Sequence, residues 1–323
     1  MNRALQFVKD WMLPLAIMTG VTIAAVLHYA GAGTLNGGEG FARFAKNIQP
    51  VTVAAMLFLQ FVKISPHDLK LKPFHLKMLA FQLVLFAATA ALSVFLTNEN
   101  LKVLAECAML CFICPTAAAA GVITDKLGGS LSDTISYVVL INVVTAVAIP
   151  LAIPIVNPSS HVSFIAGFGA ICAHTFPMLV LPLALAWVVR YCWRSLQKKL
   201  MRYVWWAFYL WGVSLTLAIY LATRALLSSG ISVITGVEIC LISLAACIIQ
   251  FAAGQALGSR GGKSCSITTG QSLGQKNTGF FIWIGYSYLT PVTSIAGGFY
   301  SLWQNLVNSG ELEEQRRHSR KAA

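Results

Sequence analysis

Charge is scarce in this sequence, and the two signs are unevenly represented. Charged residues make up 11% of the chain, whereas an ordinary soluble domain has about 25%. Lys and Arg number 23, but Asp and Glu only 11, and 57% of the residues are hydrophobic. These proportions exclude a soluble globular domain and indicate an integral membrane protein.

The sequence also lacks the residue groupings on which enzymes and metal centres depend. It contains no His/Cys framework with metal-ligand spacing and no Ser-His-Asp set with a supporting fold. Residues 258–264 look like a phosphate loop, but three residues separate the glycines where that motif needs four. Cys107, Cys111 and Cys114 share one helix face, and we interpret them as packing residues. We therefore predict no enzymatic activity, no metal and no cofactor.

Long apolar runs recur along the whole chain, as expected for membrane-spanning helices. The first run is longer than the core of about 7–15 residues in a signal peptide, so we predict that it is a retained helix. The loops between the runs are short and leave no room for a soluble domain. Ten spans are predicted, at residues 11–30, 47–64, 76–97, 103–127, 132–155, 162–190, 203–225, 232–255, 263–288 and 290–308.

The basic residues indicate how these spans are oriented. If both termini lie inside, most of the Lys and Arg residues fall in the inner loops, in agreement with the positive-inside rule. The charge therefore follows membrane topology, and we expect a lipid bilayer as the partner and no nucleic acid. We predict a multi-pass protein of a bacterial inner membrane with both termini in the cytoplasm.

A Pro-rich stretch at 149–160 divides the chain into two halves with five spans each. Because five is odd, the second half must be inverted relative to the first. We predict one repeat in 1–158, an inverted repeat in 159–310 and a charged cytoplasmic tail in 311–323. In each half the fourth span is interrupted, at 114–121 and at 270–279, and such a pair is typical of the binding centre of a secondary transporter.

The two interruptions have a definite chemistry. A break in a spanning helix exposes unpaired backbone groups and is tolerated only where it is buried in protein or lines a cavity. The helix N-termini that follow the breaks, near Ala118 to Gly121 and near Asn277, favour an anion. The carbonyl ends that precede them suit a cation.

Several residues at these positions resemble one known family. Cys114-Pro115, followed by small residues as far as Gly121, resembles the fourth-span crossover of the bile acid:sodium symporter family. Residues 274–279, Gly-Gln-Lys-Asn-Thr-Gly, resemble its ninth-span crossover, which is typically Gly-Met-Gln-Asn-Ser-Gly. Residues 299–305 resemble the Trp-His-Asn stretch of the tenth span, and Gln82 lies where the family often has a Gln.

The resemblance implies an all-α fold of ten transmembrane helices in two inverted five-helix repeats, with broken helices four and nine crossing at the midplane. Spans three to five and eight to ten would form a core, and spans one, two, six and seven a panel. Family members carry organic anions, usually with sodium, by alternating access. The expected substrate-binding residues are Ala118, Ala119, Ala120, Gly121, Asn277, Thr278, Gln304 and Asn305.

The sodium ligands of the family are largely missing from this chain. Ala120 and Gly121 replace a Ser and an Asn, Ser272 replaces the crossover Glu, and Lys276 replaces a Gln. We therefore expect transport without sodium, with the Lys276 ammonium in the place of the cation and donating hydrogen bonds to crossover carbonyls. The residues assigned to an ion site or to its replacement are Lys276, Gln82, Thr134, Ser272 and Gln275.

Alternatives stay open at this point. Lys276 is either a fixed charge or, if it titrates, a means of coupling transport to protons, and a sodium-coupled symporter is a further possibility. Cys114 allows an arsenite efflux carrier, and a receptor that binds without transport is the remaining alternative. Glu106, early in the fourth span, is expected at the outer interface.

Overall fold

The computed structural model describes residues 11–30, 39–158 and 163–322. Residues 159 and 160 of the stretch that divides the halves lie outside these ranges. The described residues contain no strand, only one isolated bridge. They contain fourteen α-helices: α1 Met12–Ala30, α2 Glu39–Phe61, α3 Pro73–Phe95, α4 Glu99–Ile113, α5 Ala120–Lys126, α6 Leu131–Val156, α7 Phe164–Leu179, α8 Leu181–Cys192, α9 Arg194–Arg202, α10 Trp206–Ser228, α11 Val233–Gly258, α12 Lys263–Gly274, α13 Thr278–Tyr288 and α14 Thr293–Ala322.

Every predicted apolar segment coincides with one of these helices or with a consecutive pair. Among the described residues, α1, α3, α6, α10 and α11 are long and apolar enough to cross a membrane, and the pair α7 and α8 would add a sixth span. The chain is thus an all-α protein with the helices of a multi-pass membrane protein. The count of ten spans and the inverted repeat stay predictions.

The sixth predicted segment is broken, although it was expected to be continuous. The axes of α7 and α8 differ by 41° at Val180, between Pro177 and Pro182. Proline has no N–H, so Pro182 cannot donate to the carbonyl four residues earlier, and its ring crowds the preceding turn. The described part of the chain therefore has three interrupted segments rather than two.

The helices pack in two groups. In the first, α3 packs on α4, α11 packs on α12 and α14, and α4 packs on α11 and α14. In the second, α10 packs on α1 and α2, while α2 packs on α7 and α8. We call α3–α6 together with α11–α14 the core, and we call the second group the panel. The two groups are in contact where α2 and α10 of the panel pack on α13 of the core. The predicted tail from 311 continues α14 without a break.

Candidate functional site

The two predicted interruptions lie side by side inside the core. Thr116 and Lys276 form an antiparallel bridge. The N–H of Ala117 donates to the carbonyl of Gln275 at 3.1 Å, and the N–H of Asn277 donates to the carbonyl of Pro115 at 2.8 Å. The broken pairs α4/α5 and α12/α13 thus cross each other. Each break supplies hydrogen-bond partners to the backbone of the other, which is why non-helical chain can be buried here.

The last carbonyls of α4, which have no N–H partner within the helix, accept hydrogen bonds from side chains elsewhere in the core. This matters because such carbonyls would otherwise be available to a cation. The donors are Gln250 Nε2 to Cys111 O at 3.1 Å, Lys276 Nζ to Phe112 O at 3.4 Å, Thr145 Oγ1 to Ile113 O at 3.0 Å, and Gln82 Nε2 to Ile113 O and Cys114 O, both at 3.3 Å.

The carbonyl end of α12 is bound in the same way. Thr116 Oγ1 donates to Ser272 O at 2.6 Å, and Tyr300 Oη donates to Gly274 O at 2.8 Å. The carbonyl of the next residue, Gln275, is the one bound by Ala117. Both half-helices therefore end on protein donors, and a cation would have to compete with these donors for the carbonyl oxygens.

The Lys276 side chain is buried in the core, with only 1% of the residue exposed. Its one hydrogen bond is to Phe112, so the structure supports only part of the expectation that the ammonium binds several crossover carbonyls. The thiols of Cys111, Cys114 and Cys247 are close enough to interact with it electrostatically. The ion pairs found among the described residues do not involve Lys276. The amine thus lies at the negative end of α4 without a carboxylate partner.

A cavity of about 650 Å³ separates this crossover from the panel. Its core wall is polar, whereas its panel wall is mostly apolar and aromatic, with Lys63 and Lys126 also on its lining. The core wall comprises Ala117, Ala118, Ala119, Val122, Ile123, Gln275, Lys276, Asn277, Thr278, Gly279, Ser301, Gln304, Asn305 and Asn308; the panel wall includes Met56, Gln60, Met201, Trp205, Phe208, Trp211, Ser214 and Leu215.

Six of the eight expected substrate-binding residues line this cavity: Ala118, Ala119, Asn277, Thr278, Gln304 and Asn305. The other two do not. Ala120 is fully buried in the protein, and Gly121 lines a neighbouring groove. The side-chain amide of Gln304 is already engaged by the Lys276 backbone, and Asn305 Nδ2 donates to Ser301 O at 2.6 Å within its own helix.

Two buried amide atoms next to the cavity have no hydrogen-bond partner among the described residues. Asn277 caps α13, since its Oδ1 accepts from Phe280 N at 3.2 Å, but its Nδ2 is unpartnered. Asn308 Oδ1 is buried and unpartnered as well. Sequence reasoning missed Asn308, although it lies one helical turn beyond Gln304 and therefore shares its face. Unpaired buried polar atoms are costly, so these two are places where a ligand would be bound favourably.

The residues expected at an ion site are not brought together. Only Gln82 and Lys276 reach the end of α4. Ser272 Oγ donates to Thr268 O at 2.6 Å in its own helix, and Thr134 Oγ1 donates to Ser130 O at 3.0 Å. The side chain of Gln275 turns away to Gln271, which in turn donates to Glu311.

Glu106 is packed inside the protein, with 1% of the residue exposed, and its Oε2 has no hydrogen-bond partner among the described residues. Its place at the outer membrane interface stays a prediction. The cysteines of α4 are fully buried, and the described residues contain no cluster of three His, Cys, Asp or Glu that would hold a metal ion.

Comparisons with known proteins identify no relative of this chain: no family model matches it, and no curated protein matches it significantly. The resemblance to the symporter family consequently rests on the motifs at the two crossovers and in the last span.

Proposed function

We propose that this protein is a membrane carrier of a small organic anion that works by alternating access and does not bind sodium at its crossover. One observation carries the sodium-independent part of the proposal: protein donors already occupy the carbonyl ends of α4 and α12. Sodium needs several oxygen ligands and gains from negative charge, and here amine, amide and hydroxyl donors point at the available oxygens.

The anion would bind on the cavity side of the crossover. The N-terminus of α13 carries partial positive charge, and the unpartnered Nδ2 of Asn277 lies at that terminus. Thr278 lines the same wall, while Lys63 and Lys126 add positive charge to the lining. The aromatic residues of the panel would contact the apolar part of the substrate.

Alternating access would require the core and panel to move relative to each other. Lys63 and Lys126 belong to the predicted inner side, so the described state corresponds to a cavity open to the cytoplasm. Elsewhere along α13, the groups are joined by polar contacts. Gln49 of the panel donates to Gly279 O at 3.3 Å, and Trp283 Nε1 donates to Lys46 O of the panel at 2.9 Å. In the outward-open state we expect these contacts to be broken.

The test is uptake by proteoliposomes of a labelled carboxylate panel that ranges from small hydroxy acids to bile acids. Uptake is compared with and without sodium, with and without a pH gradient, for the parent and for Lys276→Gln. The proposal expects uptake in sodium-free buffer that Lys276→Gln abolishes. A dependence on the pH gradient would add proton coupling through Lys276.

Other outcomes decide between the alternatives. Strict dependence on sodium in the parent would refute the sodium-independent mechanism. Saturable binding of a carboxylate without flux would favour a receptor. Resistance to arsenite that is lost in Cys114→Ser, without any carboxylate uptake, would favour metalloid efflux.

A further inference from the structure

A second cavity, of about 470 Å³, lies beside α5 and adjoins the transport cavity, with which it shares the lining residues Gln60, Lys63, Ala118 and Val122. We call it the basic groove. Its walls are the connector between α2 and α3, the second half of the first broken span and the start of α6. The lining residues are Gln60, Phe61, Lys63, Ile64, His67, Leu69, Lys70, Ala118, Gly121, Val122, Leu131, Ser132, Ile135 and Val138.

The rim and the floor of the basic groove have opposite character. Lys63, His67 and Lys70 are exposed, whereas Phe61 and Val138 are buried apolar side chains. The described lining residues include no carboxylate. A nearby acid, Asp133, is already paired with Lys72 at 2.7 Å. The rim therefore offers positive charge that no described lining residue neutralises.

The connector that carries this rim is held in place by hydrogen bonds. The N–H of Lys70 donates to Ser136 Oγ of α6 at 3.2 Å, and Gln197 Nε2 of α9 donates to Val62 O at 3.3 Å. The backbone of Leu69 closes a short 3-10 turn by donating to Pro66 O at 3.2 Å. Because the backbone is fixed, the basic side chains can bind a ligand without first ordering a loop.

The apolar wall of the groove reaches the outer surface of the helices. Val122 is 45% exposed and Leu131 is 40% exposed. Val122 lines both cavities, whereas Leu131 lines the groove alone, so the groove presents charge next to an apolar track that continues to the protein surface. A soluble anion would use only the charge, whereas a phospholipid would use both the charge and the track. Basic pockets between helices at the cytoplasmic side are typical sites for anionic lipid head groups.

We infer that the basic groove binds an anionic phospholipid, with its phosphate at Lys63, His67 and Lys70 and an acyl chain along Val122, Leu131 and Ile135. The inference does not depend on the transported substrate. It does bear on the core, because Ala118 and Val122 line both cavities. A bound lipid would thus contact residues that also line the transport cavity.

The test measures lipid binding to the full chain in detergent. Phosphatidylglycerol, phosphatidylcholine, inorganic phosphate and glycerol phosphate are titrated, and retained lipid is counted by native mass spectrometry alongside thermal shifts. Lys70→Gln is expected to weaken phosphatidylglycerol binding about fivefold, and His67→Gln with Lys70→Gln to weaken it further. Lys63 is left unchanged because it also lines the transport cavity. Leu131→Glu is expected to abolish retention by placing a carboxylate on the apolar track.

The matched control is Lys198→Gln with Lys199→Gln, two exposed lysines of α9 outside the groove. It should retain phosphatidylglycerol as the parent does. Equal loss in the groove variants and in this control would overturn the inference, since the effect would then be general surface charge. Stabilisation by inorganic phosphate as strong as that by phosphatidylglycerol would overturn it too, by showing a site for a soluble anion. Size-exclusion profiles show whether each variant is folded.

Discussion

The side-chain amide of Gln304 is hydrogen-bonded through both of its ends to the backbone of Lys276. Oε1 accepts from the Lys276 N–H at 2.8 Å, and Nε2 donates to the Lys276 carbonyl at 3.2 Å. The side-chain amide thus pairs with the backbone N–H and C=O of the non-helical residue Lys276, in the way that a neighbouring β-strand would. It fixes the backbone of the residue whose side chain carries the charge in the core.

Replacing this amide should destabilise the crossover. Gln304→Leu leaves the buried Lys276 N–H unpaired, at a cost of about 1–3 kcal/mol, while the Lys276 carbonyl keeps its bond from Thr278 N at 2.9 Å. We expect a lower thermal midpoint and a large loss of uptake. Asn305→Ala is the control, because the side chain of Asn305 donates to Ser301 O within α14, and its midpoint should stay close to that of the parent. Equal midpoints for the two variants would mean that the Gln304 pairing does not stabilise the fold.

Substitution of Gln82 tests whether side-chain donors take the place of sodium at the end of α4. Its Nε2 donates to the carbonyls of Ile113 and Cys114, and its Oε1 accepts from Tyr137 at 2.9 Å. Gln82→Leu frees the Cys114 carbonyl, while Ile113 O keeps its bond from Thr145 Oγ1. We expect this variant to be less stable than the parent but to regain stability in sodium, with a smaller effect in choline.

The parent, whose carbonyls are occupied, should show no difference between the two salts. Thermal unfolding in matched ionic strength measures both proteins. A sodium-specific shift in the parent, or none in Gln82→Leu, would contradict the idea that side-chain donors stand in the place of a cation.

Two substitutions of Asn277 distinguish its role in stability from its role in anion binding. Asp is as good an N-cap as Asn, so Asn277→Asp should keep α13 intact. It also places a negative charge where the anion is proposed to bind, and we expect uptake to fall to background. Asn277→Ala should instead lose about 1 kcal/mol of stability together with the cap. Full uptake by a stably folded Asn277→Asp would place the anion elsewhere.

The contact at Gly279 should control the movement of the panel against the core. A Cβ there would lie 2.9 Å from Gln49 Nε2 and 3.0 Å from Ser214 Oγ. Gly279→Ala should therefore separate the two groups at this point and slow uptake. Adding Ser214→Ala removes one of the crowding atoms and should restore part of the rate.

Gly236→Ala is the matched control, because nothing lies within 4 Å of a Cβ at that position. It should transport normally. If Gly279→Ala behaves like this control, close contact between core and panel at Gly279 is not required.

The carboxyl group of Glu311 should make the stability of the protein depend on pH. It lies on α14 beyond the predicted last span, and its carboxylate accepts from Gln271 at 2.5 Å and from Gln255 at 2.9 Å. Burial raises its pKa above the ordinary value of 4.5, against the opposing effect of the two amide donors. A folded-state pKa above the unfolded one means that the protonated form favours folding. That contribution is present at low pH and is lost as pH rises through the folded pKa.

Glu311→Gln cannot lose a proton, so its stability should fall less than that of the parent between about pH 4 and neutrality. Denaturation curves of both proteins across this range measure the difference. Curves that stay parallel would show that Glu311 titrates normally.

The sequence was sufficient to locate the two breaks and the buried lysine. Gly, Pro and a charged residue inside long apolar runs are local signals, and they predicted the crossing at Pro115 and Lys276. The partners that make this crossing stable were not predictable in the same way. Gln250 binds the carbonyl of Cys111, a residue 139 positions away, and one sequence gives no sign of such a pairing.

Other differences have local causes. The bend at Val180 had a signal in Pro182, but the apolar run around it continues without a polar residue. Ser272 was placed at an ion site by its position in the motif, whereas its hydroxyl satisfies a carbonyl of its own helix. Side-chain rotation of this kind depends on neighbours that the linear sequence does not reveal.

The three thiols around Lys276 give the protein a built-in chemical reporter. Cys111, Cys114 and Cys247 are fully buried, whereas Cys192 is exposed. If the core moves as a rigid body, a small alkylating reagent should modify Cys192 and leave these three intact through many turnovers. If the crossover itself opens during transport, their alkylation should accelerate when substrate is added, in step with the turnover rate.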